Sequence, residues 1–301
     1  MSRALPFLAA ALGIALFAGM DAAMKALSIA LGAYSAMLWR QAAGASIAAP
    51  LYLLSRDAWP SRAAMRFHLM RGGVSAVMAT TWFYGLARLP MGEAIALSFI
   101  APLIALFLAT ALLGERVSRA SIWASVLGLA GMAVLLNARL GQDTGERHLD
   151  GVFAILGSAV LYAWNLILMR QQALVARPAE VAFFQNAISG SWLLLALPVV
   201  ALLRPDWLAA PTGDLWWLVL SGAALTVVSL FLLSWAYGHA EAQALVPVEY
   251  TAFVWGAAFG ALIYDETLAW TTLVGAALIV LGCVIAARGN KADLGKVEVA
   301  A

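Results

Sequence analysis

Residues 249–266 read EYTAFVWGAAFGALIYDE, an apolar run with Gly256 and Gly260 that closes on the acidic pair Asp265-Glu266. An earlier run closes in a similar way, at Leu112-Leu113-Gly114-Glu115, and a glycine stands sixteen residues beyond each glutamate, Gly131 and Gly282. Further matches keep the same order. Tyr84-Gly85-Leu86-Ala87 answers Tyr237-Gly238-His239-Ala240, Gln41 answers Gln185, and Met24-Lys25 answers Met169-Arg170. Each match alone is weak, because helices rich in Leu and Ala align easily. Their shared order at offsets of roughly 150 residues makes the chain a duplication.

What is duplicated is a set of membrane spans. Of the 301 residues, 64% are apolar and 11% charged, against about 45–50% and about 25% in soluble domains. Mean hydropathy is +0.89. A soluble fold could not cover so much hydrocarbon. The composition excludes a water-soluble enzyme, the net charge of +2 gives no footprint for nucleic acid, and Cys283 alone builds no disulfide framework. Continuous rather than alternating apolar runs exclude a β-barrel.

A bilayer span needs about 20 largely apolar residues. Ten segments qualify, at 4–24, 34–54, 69–87, 92–113, 119–138, 150–169, 179–203, 214–237, 242–264 and 268–287. The first is read as a retained helix, since Asp21 and Lys25 near its end are foreign to a signal peptide. Lys and Arg concentrate on the cytoplasmic side of spans. With the N-terminus inside, that side holds Arg3, Arg56, Arg62, Arg66, Arg71, Arg116, Arg119, Arg170, Arg177, Arg288, Lys291 and Lys296. The other holds Lys25, Arg88, Arg139, Arg147 and Arg204. Both termini are therefore expected in the cytoplasm of a plasma (inner) membrane protein.

The division is 4–138, a connection at 139–149, 150–287 and a tail at 288–301. Five spans per half is odd, so the second copy enters from the opposite side. The fold class expected is an all-α integral membrane protein with ten transmembrane helices as two inverted five-helix repeats. Secondary transporters recurrently use that plan, with a substrate site near the midplane. The alternative is a duplicated scaffolding protein.

A five-helix unit ending in Gly/Asp-Glu, followed by an apolar helix with spaced glycines, resembles the EamA unit of the drug/metabolite transporter superfamily. The stretch from Glu249 to Glu266 and Pro102, thirteen residues before Glu115, carry the resemblance. It covers residues 6–287 and is most similar to amino-acid exporters of the YddG type. What this implies is a central cavity lined by the first four helices of each half, the fifth and tenth outside, and export of small metabolites by alternating access.

Charged groups within spans are costly, about 2.5–3.5 kcal/mol each on insertion scales. Asp21 and Lys25, four apart, can pair on one face of the first helix. With Arg40 and Glu93 they form either a rim ion-pair network or an outer gate and substrate anchor, Arg40 and Gln41 suiting a carboxylate. Glu249, beside Pro247, either handles an amine or proton or braces a neighbouring helix. Trp164-Asn165 lies mid-span, opposite Met20-Asp21 in the other repeat, and is expected in the cavity. Met20, Met24, Thr81, Trp82, Ser98, Phe99, Gln185, Trp235 and Tyr250 complete the candidate cavity set. Trp82, Tyr84, Trp235 and Tyr237 also fit an interfacial belt, and Thr81 can bond its own helix. Glu115 and Glu266 read as helix-rim groups that complement a helix start.

Such a cavity would take neutral amino acids of varied side chain. No Gly-x-x-x-x-Gly-Lys-Ser/Thr loop implies an ATPase motor. His68, His148 and His239 fall in connecting regions without metal-ligand spacing, and no nucleophile–base set supports an intramembrane enzyme. The expected partners are a small-molecule substrate and the lipid bilayer, with no metal or other cofactor, no nucleic acid and no ATPase subunit.

Overall fold

The computed structural model describes residues 5–55, 59–101, 146–173, 175–239, 251–267 and 269–278, with isolated positions between these runs. Among them every regular element is helical. In chain order these are α1 (Leu5–Leu31), α2 (Ala33–Ser55), α3 (Arg62–Leu86), α4 (Met91–Ser98), α5 (Glu146–Ala173), α6 (Pro178–Leu203), a 3-10 turn (Pro205–Trp207), α7 (Leu215–His239) and α8 (Thr251–Tyr264), with further helical residues at 270–278. At 1.5 Å rise per residue the six long helices reach roughly 35–42 Å, enough to cross a hydrocarbon core of about 30 Å. Four of them, at Leu5–Leu31, His148–Met169, Pro178–Leu203 and Leu215–Ala236, are long and apolar enough to span a membrane.

Local chemistry sets the ends. Gly32, at φ 77°, turns α1 into α2 in a left-handed conformation that a side chain would resist. The Ser61 hydroxyl accepts from the Ala64 N–H at 3.1 Å and starts α3. Pro178 opens α6, where its missing N–H costs nothing.

The structure lengthens two expected spans. The first continues to Leu31 rather than stopping near 24, which puts Lys25 inside the helix. The third begins at Arg62 rather than 69, so Arg66 is helical, and Arg71 is buried. Partners from the other half compensate Lys25 and Arg71, so these two do not break the helices. His68 and His148 likewise lie within α3 and α5, not in connections. The helix α5 starts at Glu146, inside the segment read as a connection. Pro102 and Glu115 fall outside the described residues, as do almost all of 119–138 and the tail.

Packing joins the halves. α1 lies along α7 and α3 along α5; α2 crosses α6; α4 meets α8. α3 also packs on α6 and α2 on α7, α1 on α8 and α5 on α4. Exchanging α1–α4 for α5–α8 maps this set of pairings onto itself, α2·α6 and α4·α8 each onto itself and the others in twos, the pseudo-two-fold relation of an inverted repeat. At the α2·α6 crossing Gly44 faces the Asn186 side chain and Gly190 faces Gln41, so the helices approach through small residues from both sides. The face where α1 ends and α2 begins is called the upper face here, and the one with Ser55 and Ser61 the lower. Met20, Met24, Leu27, Met37, Phe83, Leu86, Met91, Leu97 and Ile155 fill the core.

Candidate functional site

Arg40 lies seven residues into α2, about 10 Å below the upper end by helix rise, and is 6% exposed. Its Nη1 donates to Thr226 Oγ1 of the second half at 2.8 Å, and Nη2 donates to Gln41 Oε1 at 3.1 Å. The remaining neighbours are soft: Met20 Sδ at 3.9 Å, Met37 Sδ at 3.5 Å and the Phe83 ring. Its Nε has no partner among the described residues. Nor does any described carboxylate form an ion pair with it. A guanidinium is a planar fork that matches a carboxylate through two parallel bonds. Here that fork is buried and makes no ion pair with a described carboxylate.

Asp21, on α1 beside Met20, supplies the opposite charge. Its Oδ1 accepts from Trp82 Nε1 at 3.2 Å, which fixes the indole inward. Trp82 therefore points into the bundle. Asp21 is half-buried and interacts electrostatically with Arg40. A cation and an anion from adjacent helices thus lie within electrostatic reach of each other without closing into an ion pair.

The pairing of Asp21 with Lys25 is not observed. Lys25 reaches across the upper rim to Glu266, donates to the Leu89 carbonyl at 2.7 Å and lies over the Tyr264 ring. Glu266 also accepts from the Met91 N–H at 2.7 Å, at the start of α4. One carboxylate therefore ties α1, α4 and the end of α8 together. Glu93 is held near His148, 3.3 Å away. Beyond the helices, the exposed Arg204 donates to Asp206 at 3.1 and 2.9 Å, and these bonds hold the Asp206 carboxyl below its ordinary range.

A second polar group occupies the lower half. Arg71 donates through Nε to Asn165 Oδ1 at 3.1 Å and through Nη1 to Gln172 Oε1. His68, 1% exposed, bonds Glu180 and Gln172 at 2.8 Å each. Sequence reasoning placed His68 in a loop. The signal it carried was its position three residues before Arg71, on one helix face.

The other candidates disperse. Asn165 is buried on Arg71, whereas Trp164 is 36% exposed, on the α5 face shared with Phe153, Gly157 and Val160 and turned from α3. Thr81 and Ser98 bond carbonyls of their own helices. Phe99 lies 6.5 Å from Phe253, Gln185 donates to Ser189, and Trp235 stacks on His239 at 4.3 Å. Met24 is buried in the core. Glu249 and Tyr250 fall outside the described residues. Met20, Asp21, Arg40, Gln41 and Trp82 are brought together; Met37, Phe83 and Thr226, which complete that group, were not singled out in the sequence.

Comparison with known proteins places this geometry in context. Residues 5–137 and 149–288 each match the EamA-like transporter family. The pseudopaline exporter of Pseudomonas aeruginosa is 28% identical over 279 residues, 91% of this chain and 93% of its own. The S-adenosylmethionine uptake transporter of Rickettsia felis is 28% identical, with 71% and 68% covered. The riboflavin transporter of Brucella anthropi is 24% identical, with 76% and 80% covered. A solved crystal structure shares the fold at TM-score 0.62 and 22% identity, covering 95% of this chain and 98% of that one.

Proposed function

The chain belongs to the EamA-like transporter family, and from that premise we propose that it carries small zwitterionic metabolites of the amino-acid type by alternating access between its halves. It is a membrane transporter of small molecules, not an enzyme. The observation that carries the substrate class is Arg40, buried without an ion-paired carboxylate and within electrostatic reach of Asp21. The substrate carboxylate takes the guanidinium fork and its ammonium takes Asp21. Met20, Met37 and Phe83 leave the side chain in an apolar wall, where one methylene is worth only about 1–3 kcal/mol. Recognition of the common head group with weak discrimination of the tail gives broad specificity.

Export is the proposed direction, with both termini cytoplasmic and the upper face outside. The relative named as an exporter covers nearly all of this chain, and the surplus of basic residues flanks the lower face. A carrier of another metabolite, such as a nucleobase, sugar or drug-like compound, is the second reading, favoured by the relative named for riboflavin.

Counterflow in proteoliposomes decides between them. Vesicles loaded with leucine and challenged with labelled leucine should exchange, and unlabelled neutral amino acids should compete while nucleobases and sugars should not. Exchange of a nucleobase or sugar, with no response to any amino acid, overturns the zwitterion assignment.

A further inference from the structure

The lower polar group has a direction. Arg71 can only donate, so the Gln172 oxygen faces it and the Gln172 NH₂ group must point the other way, at His68 Nδ1. That nitrogen therefore accepts. The imidazole proton stands on Nε2 and is donated to Glu180. The result is one continuous chain, from Arg71 through Gln172 and His68 to Glu180, in which the tautomer is set by its neighbours.

Every bond in it crosses between the halves. His68 and Arg71 belong to α3, Gln172 to α5 and Glu180 to α6. Nearby, Ser189 Oγ donates to the Gly72 carbonyl at 2.9 Å and Arg177 to the Ser55 carbonyl at 3.4 Å. The groups facing the ring are Glu180 from α6, Gln172 from α5, Arg71 from its own helix and the stacked Phe184 ring. Tyr162 of α5 interacts with Arg71. Glu180 retains 14% side-chain exposure toward the lower face, whereas the His68 side chain retains none.

We propose that His68 is a proton-binding site whose protonation releases the two halves from each other on the lower face, making the carrier's conformational cycle proton-linked. A second proton, taken from water at that face, would sit on Nδ1 and oppose the Gln172 NH₂ group donor to donor. Gln172 must then turn its oxygen to the ring, and the turn withdraws that oxygen from Arg71. Neutral His68 keeps the chain unbroken and the face closed; imidazolium breaks it one bond away.

The test needs no transported ligand and therefore stands apart from the substrate assignment. Spin labels at Ala63→Cys on α3 and Val175→Cys beside α6, with Cys283→Ser, report the separation of the halves in lipid nanodiscs. Between about pH 8 and pH 5, where histidine is the side chain that ordinarily titrates, the distance distribution should shift to longer values. In His68→Gln, whose amide can accept from Gln172 and donate to Glu180 without titrating, the shift should be lost. An unchanged distribution across this range in the otherwise unmodified chain overturns the proposal, which does not depend on any variant folding. So does a shift that persists in His68→Gln.

Discussion

A guanidinium surrounded by a hydroxyl, an amide and two thioethers, as Arg40 is, is poor structural material. Replacing a complete buried ion pair by apolar groups of similar volume is often neutral or stabilising by about 1–4 kcal/mol. Arg40 is in no ion pair with a described carboxylate, so its loss orphans no bonded carboxylate, and methionine suits a site already walled by Met20 and Met37. Arg40→Met should therefore unfold in detergent no earlier than the parent while losing counterflow. Arg40→Lys keeps the charge but not the fork, and its KM should rise at least tenfold, about 1.4 kcal/mol. Thermal unfolding and counterflow measured on both variants decide the matter. A large loss of stability in Arg40→Met with unchanged KM in Arg40→Lys would make Arg40 a strut. Asp21, Arg40 and Gln41 were legible in the sequence because charge inside an apolar run stands out. Thr226 and Phe83 were not, since nothing local distinguishes an inward threonine or phenylalanine from dozens of others.

Among the helices, α2, α6 and α7 lie close to where hydropathy puts them, while α1 and α3 run further. The extension of α1 carries Lys25 and that of α3 stops just short of Arg71, both of which read locally as span edges; the compensating Glu266, Asn165 and Gln172 lie far along the chain. Helix faces were equally hidden. Adjacent residues on α5 differ by about 100° in direction, so Trp164 and Asn165 do not share an environment. Trp164→Ala should leave the selectivity between large and small substrates unchanged. Asn165→Leu should destabilise by about 1.5–3 kcal/mol, the range for a hydrogen bond to a charged group. A changed selectivity in Trp164→Ala, read from competition in counterflow, would return that residue to the cavity. Glycines behave the same way. A Cβ at Gly256 would strike Ile95 of α4, whereas one at Gly157 meets open space. Gly256→Ala should cost about 1–3 kcal/mol by overpacking, while Gly157→Ala should gain up to about 1 kcal/mol from helix propensity. Equal unfolding temperatures for the two would show that the α4·α8 approach is not tight.

At the scale of the whole molecule, the repeat found in the sequence and the pairing of helices express one relation. Each described helix of the first half takes its main partners from the second, so these helices meet the other half face to face rather than across a hinge. In the alternating access proposed above one half tilts against the other, and the Lys25–Glu266 tie and the His68 chain would lie at opposite ends of that interface. Which end faces the cytoplasm is set by basic residues flanking the spans. That signal survives the burial of Arg71, because Arg62, Arg66 and Arg177 still flank the lower face. Cysteines at Ala63 and Thr212, both exposed and near opposite faces, can report it without altering any charge. In cells, with Cys283 replaced by serine, a membrane-impermeant maleimide should label Thr212→Cys at once and Ala63→Cys after permeabilisation. The reverse order would invert the orientation and with it the export direction. Labelling of both from one side would be incompatible with α6 crossing the membrane between Arg177 and Arg204, and the inverted repeat would have to be abandoned.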